Sequence, residues 1–394
     1  MEGYDTLCKK NREMMKRAQQ TLKTLTLSTI LFLLVSFETT ALFTPRQVLG
    51  THNHHQHNIS FTPSKFQDRK TERSMISSQA LVYGTAVATT FGMQTFGFVA
   101  AYLLKTEVFY DIFGGVNYLL LAVLSAILGA SADGALPWVD DPRKILTTIL
   151  FSCSRGWLLL FLAWRAHERK GDSRFDEVLG KNGGTPQPLN FFVFWMAQAF
   201  WVMLVSMPML FVNSSSLQKP NFSVYDIVTA ILFGCGVLIE IVADIQKAMW
   251  VKAGRQGVFC DVGVWKFSRH PNYFGEIFQW WCLFAFSYSS SVNPKGGYAD
   301  WLWWAGIVSP LFTMQILLNM QPTGICNAEG KNLKRYYDKC PERYAKYHKN
   351  TSILIPFIGY GLVPMFLKRT LFFDLEKFQY KPRDADAGAA NKDE

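Results

Sequence analysis

The sequence predicts an all-α fold, a polytopic transmembrane helical bundle of about seven to eight spans. Three observations carry that reading. Hydrophobic residues make up 49% and aromatic residues 15% of the 394-residue chain, more than a soluble core of this size needs. The apolar residues fall in continuous windows of roughly 20 residues, enough to cross the hydrocarbon core of a bilayer. Lysine and arginine crowd into alternate loops between those windows, as the positive-inside rule requires.

Taken in order, residues 1–24 are basic and polar and precede the apolar run Leu25–Phe37. A basic start, an apolar run too short for a span and small polar residues afterwards predict a targeting or signal-anchor segment over 1–45. Phe43 after that run also resembles the entry of a plastid presequence. Residues 46–79 read as a polar linker carrying His52, His54, His55 and His57. So polar a stretch fixes no ligand geometry, and no metal site is predicted there. The transmembrane domain is expected over 80–375, with apolar windows at 80–104, 116–136, 145–164, 191–212, 224–246, 274–292 and 299–319. An eighth, shorter block at 353–367 contains Pro356, Gly359, Gly361 and Pro364, and reads as a broken or interfacial helix. The tail 376–394 is polar.

Loops 105–115, 165–190, 247–273 and 320–352 hold one, five, five and seven Lys or Arg residues, against two, one and one in 137–144, 213–223 and 293–298. The basic set is therefore expected to face the cytoplasm, with Arg69, Lys70 and Arg73 as exceptions on the opposite side. The net charge of +10 is read as topology, and no nucleic-acid partner is expected. Seven cysteines without a Cys-x-x-Cys support neither a disulfide framework nor a zinc site. Sequons at Asn58, Asn213 and Asn221 fall on the predicted lumenal side, where glycosylation is expected to be possible; Asn350 does not.

Three clusters carry the chemistry. The first is Ser268-Arg269-His270-Pro271-Asn272-Tyr273-Phe274-Gly275-Glu276, running into an apolar helix. Pro271 suits a first helical turn, so free N–H groups and the positive dipole end sit beside Arg269 and His270, which attracts an anion. Asn272, Glu276 and Trp280 then share a face at four-residue spacing. The second is Glu240, Asp244 and Lys247, on one face at the cytoplasmic end of a span, either holding a polar ligand's hydroxyls and amides or locking two helices as an ion pair. The third is Glu329 followed by Lys331, Lys334, Arg335, Tyr336 and Tyr337, suited to a polyphosphate and a stacked ring, or to an anionic leaflet. All three share the predicted cytoplasmic face.

Asp172-Ser173-Arg174-Phe175-Asp176, Phe194-Trp195-Met196-Ala197-Gln198-Ala199-Phe200-Trp201 with Met207-Pro208, the Glu240–Lys247 helix and Gly263-Val264-Trp265 through Glu276 with Trp280-Trp281 resemble the steroid 5-alpha reductase-like membrane proteins. The resemblance covers about 80–370 and implies an NADPH pocket opening to the cytoplasm, with hydride transfer to a conjugated carbon–carbon double bond of a hydrophobic enone or alkene lipid, steroid-like or polyprenoid. By position it implies that Asp244, Asn272 and Glu276 face the cofactor, that Arg269, His270 and Tyr273 match the superfamily's Arg-His-x-Asn-Tyr run, and that Glu329 and the following basic residues add contacts. Tyr273 and Glu276 are the candidate catalytic residues, Tyr273 because a buried phenol can hydrogen-bond a developing enolate. The steroid reductases' carbonyl-binding Glu and Tyr have no assigned counterparts in 80–170. Isoprenylcysteine and phospholipid methyltransferases share a similar Arg-His-Pro-x-Tyr-x-Gly run, so an S-adenosylmethionine-dependent transferase is the second reading and a non-catalytic membrane scaffold the third. Endoplasmic reticulum is the default location and a plastid envelope the alternative.

Overall fold

A computed structural model describes residues 65–133, 141–169, 175–181, 184–215, 221–255, 258–292, 300–320, 324–329 and 331–375. The targeting segment, the linker histidines, Asn58, Arg174 and the tail lie outside them. Among the described residues every regular element is a helix, and no strand forms apart from one isolated bridge between Ser268 and Ser352. Seven helices form the bundle: α1 (Lys65–Leu104), α2 (Phe109–Asp133), α3 (Pro142–Arg169), α4 (Pro188–Ser214), α5 (Val224–Lys252), α6 (Pro271–Ser287) and α7 (Trp301–Asn319). Short helices α8 (Ile325–Ala328), α9 (Lys331–Lys339), α10 (Pro341–Asn350) and α11 (Met365–Thr370) follow.

The chain is an integral membrane protein. Six of the bundle helices are long and apolar enough to cross a membrane. The remaining one, α6, has 17 residues, or about 25 Å of rise. It nevertheless runs the length of the bundle. Its start lies beside Glu329, while Ser290, three residues past its end, accepts at its carbonyl a bond from Ser215 Oγ (3.0 Å) beyond the end of α4. The predicted windows thus map onto α1–α7. Helix α1 starts at Lys65, ahead of the predicted boundary at 79, because polar residues outside a bilayer can prolong a helix. The eighth block is no span: Ile353 and Leu354 pack under α6, Gly359 turns the chain with φ of 77°, and only the short 3-10 turn Tyr360–Leu362 and α11 are helical.

Local signals explain the helix starts. Pro188 and Pro271 occupy first-turn positions, where the missing N–H is harmless. Ser223 and Asp226 close a reciprocal capping box on α5. Asp141 Oδ1 accepts from the Arg143 N–H at 3.0 Å and caps α3.

One end of the bundle is tied by Arg143, whose Nη2 donates to Asp226 Oδ2 (2.6 Å) and to the Asn221 carbonyl (2.7 Å), and by Gln79 Nε2 donating to Asp300 (2.9 Å). The other, basic end carries the Lys181–Glu107 pair (2.6 Å) and everything after α7. Between them lies a core of Phe151, Phe233, Trp280, Leu283, Leu121 and Met209. At the far end Asn213 corrects an expectation. It lies within α4, fully buried, and its Nδ2 donates to Ser125 Oγ at 2.8 Å, so no glycan can be attached there. Asn221 is exposed.

Candidate functional site

Two polar clusters are built at and below the basic end. The deeper one lies where α3, α5 and α6 meet. Helices α5 and α6 approach closely because both carry glycine at the crossing. A Cβ on Gly275 would stand 2.6 Å from the Gly236 carbonyl oxygen and 2.7 Å from the Glu240 nitrogen. That close approach brings three polar residues of α6 onto α3 and α5. Asn272 Nδ2 donates to Asp244 Oδ1 (3.3 Å), Arg155 Nη1 pairs with Glu276 Oε1 (3.2 Å), and Gln279 Nε2 donates to Glu240 Oε2 (2.5 Å). Ser154 Oγ donates to Gln279 Oε1 (2.5 Å), joining α3 to the same chain of bonds. The Arg155 guanidinium lies over the Trp280 ring (4.5 Å) and 5.7 Å from the Tyr118 ring centroid. The predicted Asn272–Glu276–Trp280 face therefore points inward, at ionisable partners.

The composition of this cluster decides what it can do. Glu240, Asp244 and Glu276 bring three carboxylates together, with Arg155 as the ion-pair partner at contact distance of Glu276. A charge in a span is expensive, so such groups face partners or a cavity rather than lipid. The Asn272 Oδ1 atom is buried and has no protein partner, although its own Nδ2 is bonded. Lys247, one turn beyond Asp244, rests over Trp265 (4.3 Å) and Trp250 (5.0 Å) at the mouth of the cluster.

The second cluster sits on the start of α6. The segment 352–357 is stitched to it by the Arg269 N–H donating to the Ser352 carbonyl (2.8 Å), Ser268 Oγ to the Leu354 carbonyl (2.7 Å), and the Phe357 N–H to the Phe267 carbonyl (3.1 Å). Glu329, delivered by α8, is buried and meets Arg269 Nη1 (2.7 Å) and His270 Nε2 (2.7 Å). Burial by itself would raise the Glu329 carboxyl, but the Arg269 charge and the His270 hydrogen bond outweigh it and hold it at about 2. Ionised at neutral pH, it can only accept, so His270 donates through Nε2. Asp374 takes Arg269 Nη2 at 3.2 Å and accepts from Tyr360 Oη at 2.7 Å. His348 Nε2 stands 3.8 Å from Glu329; burial and the Arg269 charge push it down to about 4. Burial likewise lowers His270, and Arg269 is raised because the two carboxylates more than offset its desolvation.

The anion expected beside Arg269 and His270 is, in the structure, the chain's own Glu329. Tyr273 stacks on His270 (centroids 5.3 Å apart, planes at 14°) and packs beside Ile277 and Leu317. Tyr336 joins an aromatic cluster with Phe259 and Tyr344 instead of standing free beside Glu329. Lys331, Lys334 and Arg335 lie on α9, with side chains outside the described residues.

Arg155, Ser154, Gln279, Asp374 and Tyr360 are the site residues that sequence reasoning missed. Arg155 had a signal: an arginine inside an apolar window is a functional candidate by default. Asp374 had none, since only the folded C-terminal segment brings it to Arg269. Among the described residues no group of three or more His, Cys, Asp or Glu side chains is arranged to hold a metal. No curated protein and no solved structure matches the chain significantly. The profile of one family, described as "Protein of unknown function (DUF1295)", matches residues 97–351, which take in the deeper cluster and, of the second, Arg269, His270, Glu329 and His348, while Tyr360 and Asp374 lie beyond the match. This membrane-embedded helical chain belongs to that family.

Proposed function

We propose that the chain is an NADPH-dependent reductase of a hydrophobic enone or alkene lipid, working at the α3–α5–α6 cluster. One observation carries the reading. Asp244, Asn272 and Glu276 converge at the basic end of the bundle, with a buried acceptor, Asn272 Oδ1, left without a protein partner. A ligand rich in N–H and O–H donors, such as a carboxamide with ribose hydroxyls, fits that acceptor-rich array. When bound, NADPH supplies the hydride. Asn272 and Asp244 orient the ligand's amide, Glu276 is aimed by Arg155, and Tyr273 holds the proton that completes reduction of a carbonyl-conjugated double bond. Lys331, Lys334 and Arg335, on α9 after the bundle, would hold the phosphates. Arg269 and His270 act differently from a direct phosphate clamp: bonded to Glu329, they fix the start of α6 and so the depth of Asn272.

A second reading has an observation of its own. The three carboxylates of Glu240, Asp244 and Glu276 also suit a cationic ligand, and S-adenosylmethionine is one. Thermal unfolding of the purified, detergent-solubilised chain with NADPH, NADH or S-adenosylmethionine separates the readings, because a ligand present at 100 times its Kd stabilises by about 2.7 kcal/mol. The reductase reading expects NADPH alone to raise Tm and Asn272→Ala to remove the effect. Stabilisation by S-adenosylmethionine alone would replace it with the transferase, and silence from all three in a folded preparation with the scaffold.

A further inference from the structure

The helices away from that cluster hold a second polar site. Helices α1, α2 and α4 meet along a seam whose register is set by three contacts. Thr90 Oγ1 donates to Asn117 Oδ1 (3.3 Å), the Trp195 ring lies on Gly97, and the Gln198 amide lies on Gly114. Gln94 is one turn from Thr90 and nearly one turn from Gly97, so this register puts it level with Gly114 and Gln198. Gln94 and Asn117 are fully buried. Yet Gln94 Nε2 and Oε1, Asn117 Nδ2 and Gln198 Oε1 have no protein partner. Trp195 Nε1, on the same seam, has none either.

Unpaired amides at membrane depth are costly, because hydrocarbon offers them no partner and an aromatic face is only a weak acceptor. Helix packing alone does not require them: leucine or methionine at these positions would fill similar volume with no polar group. Within the seam the named groups are uncharged, unlike the acidic cluster at α3–α5–α6. Free donors include the amide hydrogens of two carboxamides and an indole N–H, which suits a neutral acceptor.

We propose that the α1–α2–α4 seam binds a neutral lipophile through a carbonyl or hydroxyl oxygen, with Gln94 and Asn117 as its hydrogen-bond donors. A charged fatty acid does not fit, since no cation is present among the named groups to receive it. The assignment is independent of the reductase reading, and its test needs no cofactor and no reducible double bond.

The test uses the full-length chain in nanodiscs and three probes of similar length: 2-heptadecanone, n-heptadecane and hexadecanoate. Binding is followed by equilibrium dialysis and by the ligand-induced rise in Tm. The expected result is that the ketone binds at least about 10-fold more tightly than the alkane or the carboxylate. Gln94→Leu should erase most of that preference while leaving the unliganded Tm unchanged or higher, which loss of a structural hydrogen bond would not do; Asn117→Leu should also erase it, at some cost in unliganded Tm because Asn117 Oδ1 accepts from Thr90. Equal binding of ketone and alkane to the unmodified chain overturns the proposal, whatever the variants do; the amides would then be satisfied by water. Equal ketone preference in well-folded Gln94→Leu and Asn117→Leu proteins also overturns it. Failure of NADPH to bind in a separate experiment leaves it untouched.

Discussion

Replacing Glu329 with glutamine keeps the shape of the side chain and removes the charge on which the second cluster turns. Glu329 is 3% exposed and receives Arg269 and His270 at 2.7 Å each. Its carboxyl is held at about 2 against an ordinary 4.5. At about 1.4 kcal/mol per pKa unit, that difference corresponds to about 3 kcal/mol of folded-state stabilisation. The same size follows independently from the cost of breaking a buried ion pair, about 3–5 kcal/mol. The sign follows from the direction of the shift: a depressed carboxyl contributes fully above its ordinary value and loses the contribution as pH falls through the folded one. Glu329→Gln should therefore destabilise the chain by about 3 kcal/mol at pH 7, and the gap to wild type should narrow between 4.5 and about 2. Reversible unfolding in mixed micelles, followed by tryptophan fluorescence across pH, measures both. A double-mutant cycle with Arg269→Met should return a coupling of about 1–3 kcal/mol. Equal stability of the variant and wild type at pH 7, or a gap that does not change with pH, would refute the reasoning.

Other expectations follow from the same geometry. His348 is lowered from 6.5 to about 4, so its neutral form is favoured in the fold and stability should be lost as pH falls through that window; His348→Gln should flatten part of the loss, with the remainder due to His270. Arg155→Leu leaves Glu276 beside Glu240 and Asp244 without its contact cation and should cost about 3–5 kcal/mol, with Glu276→Gln restoring part of it in the same unfolding assay. Gly275→Ala should reduce the yield of monodisperse protein, because the new Cβ meets backbone atoms at 2.6 and 2.7 Å, whereas Gly92→Ala, with nothing within 4 Å, should be tolerated. Asn213→Gln should leave gel mobility unchanged before and after glycosidase treatment, since the native amide is buried and bonded inside α4.

How far the candidate site could be read in advance differs residue by residue. Spacing alone puts Asn272, Glu276 and Trp280 on one face, and the Arg155 and Asp244 contacts show that this face points inward. Glu240, Asp244 and Lys247 share a helix as expected but part company in space. The two carboxylates meet α6, while Lys247 turns onto Trp265 and Trp250. Arg269 and His270 looked like ligands for an external anion because a sequence does not reveal that an internal carboxylate 59 or more positions away will return to them.

The sequence by itself determined the membrane-spanning class, the approximate position of each bundle helix and the end of the bundle where polar chemistry gathers. Those depend on local quantities: apolar run length against bilayer thickness, charge in alternate loops, and helical period. Only the tertiary structure decided which charges neutralise one another. The pairing of Arg155 with Glu276, of Glu329 with Arg269 and His270, and of Asp374 with Arg269 joins positions 59 to 121 residues apart. Such pairings depend on how closely glycine-bearing helices approach and where the C-terminal segment docks, and neither is encoded in any one stretch of chain.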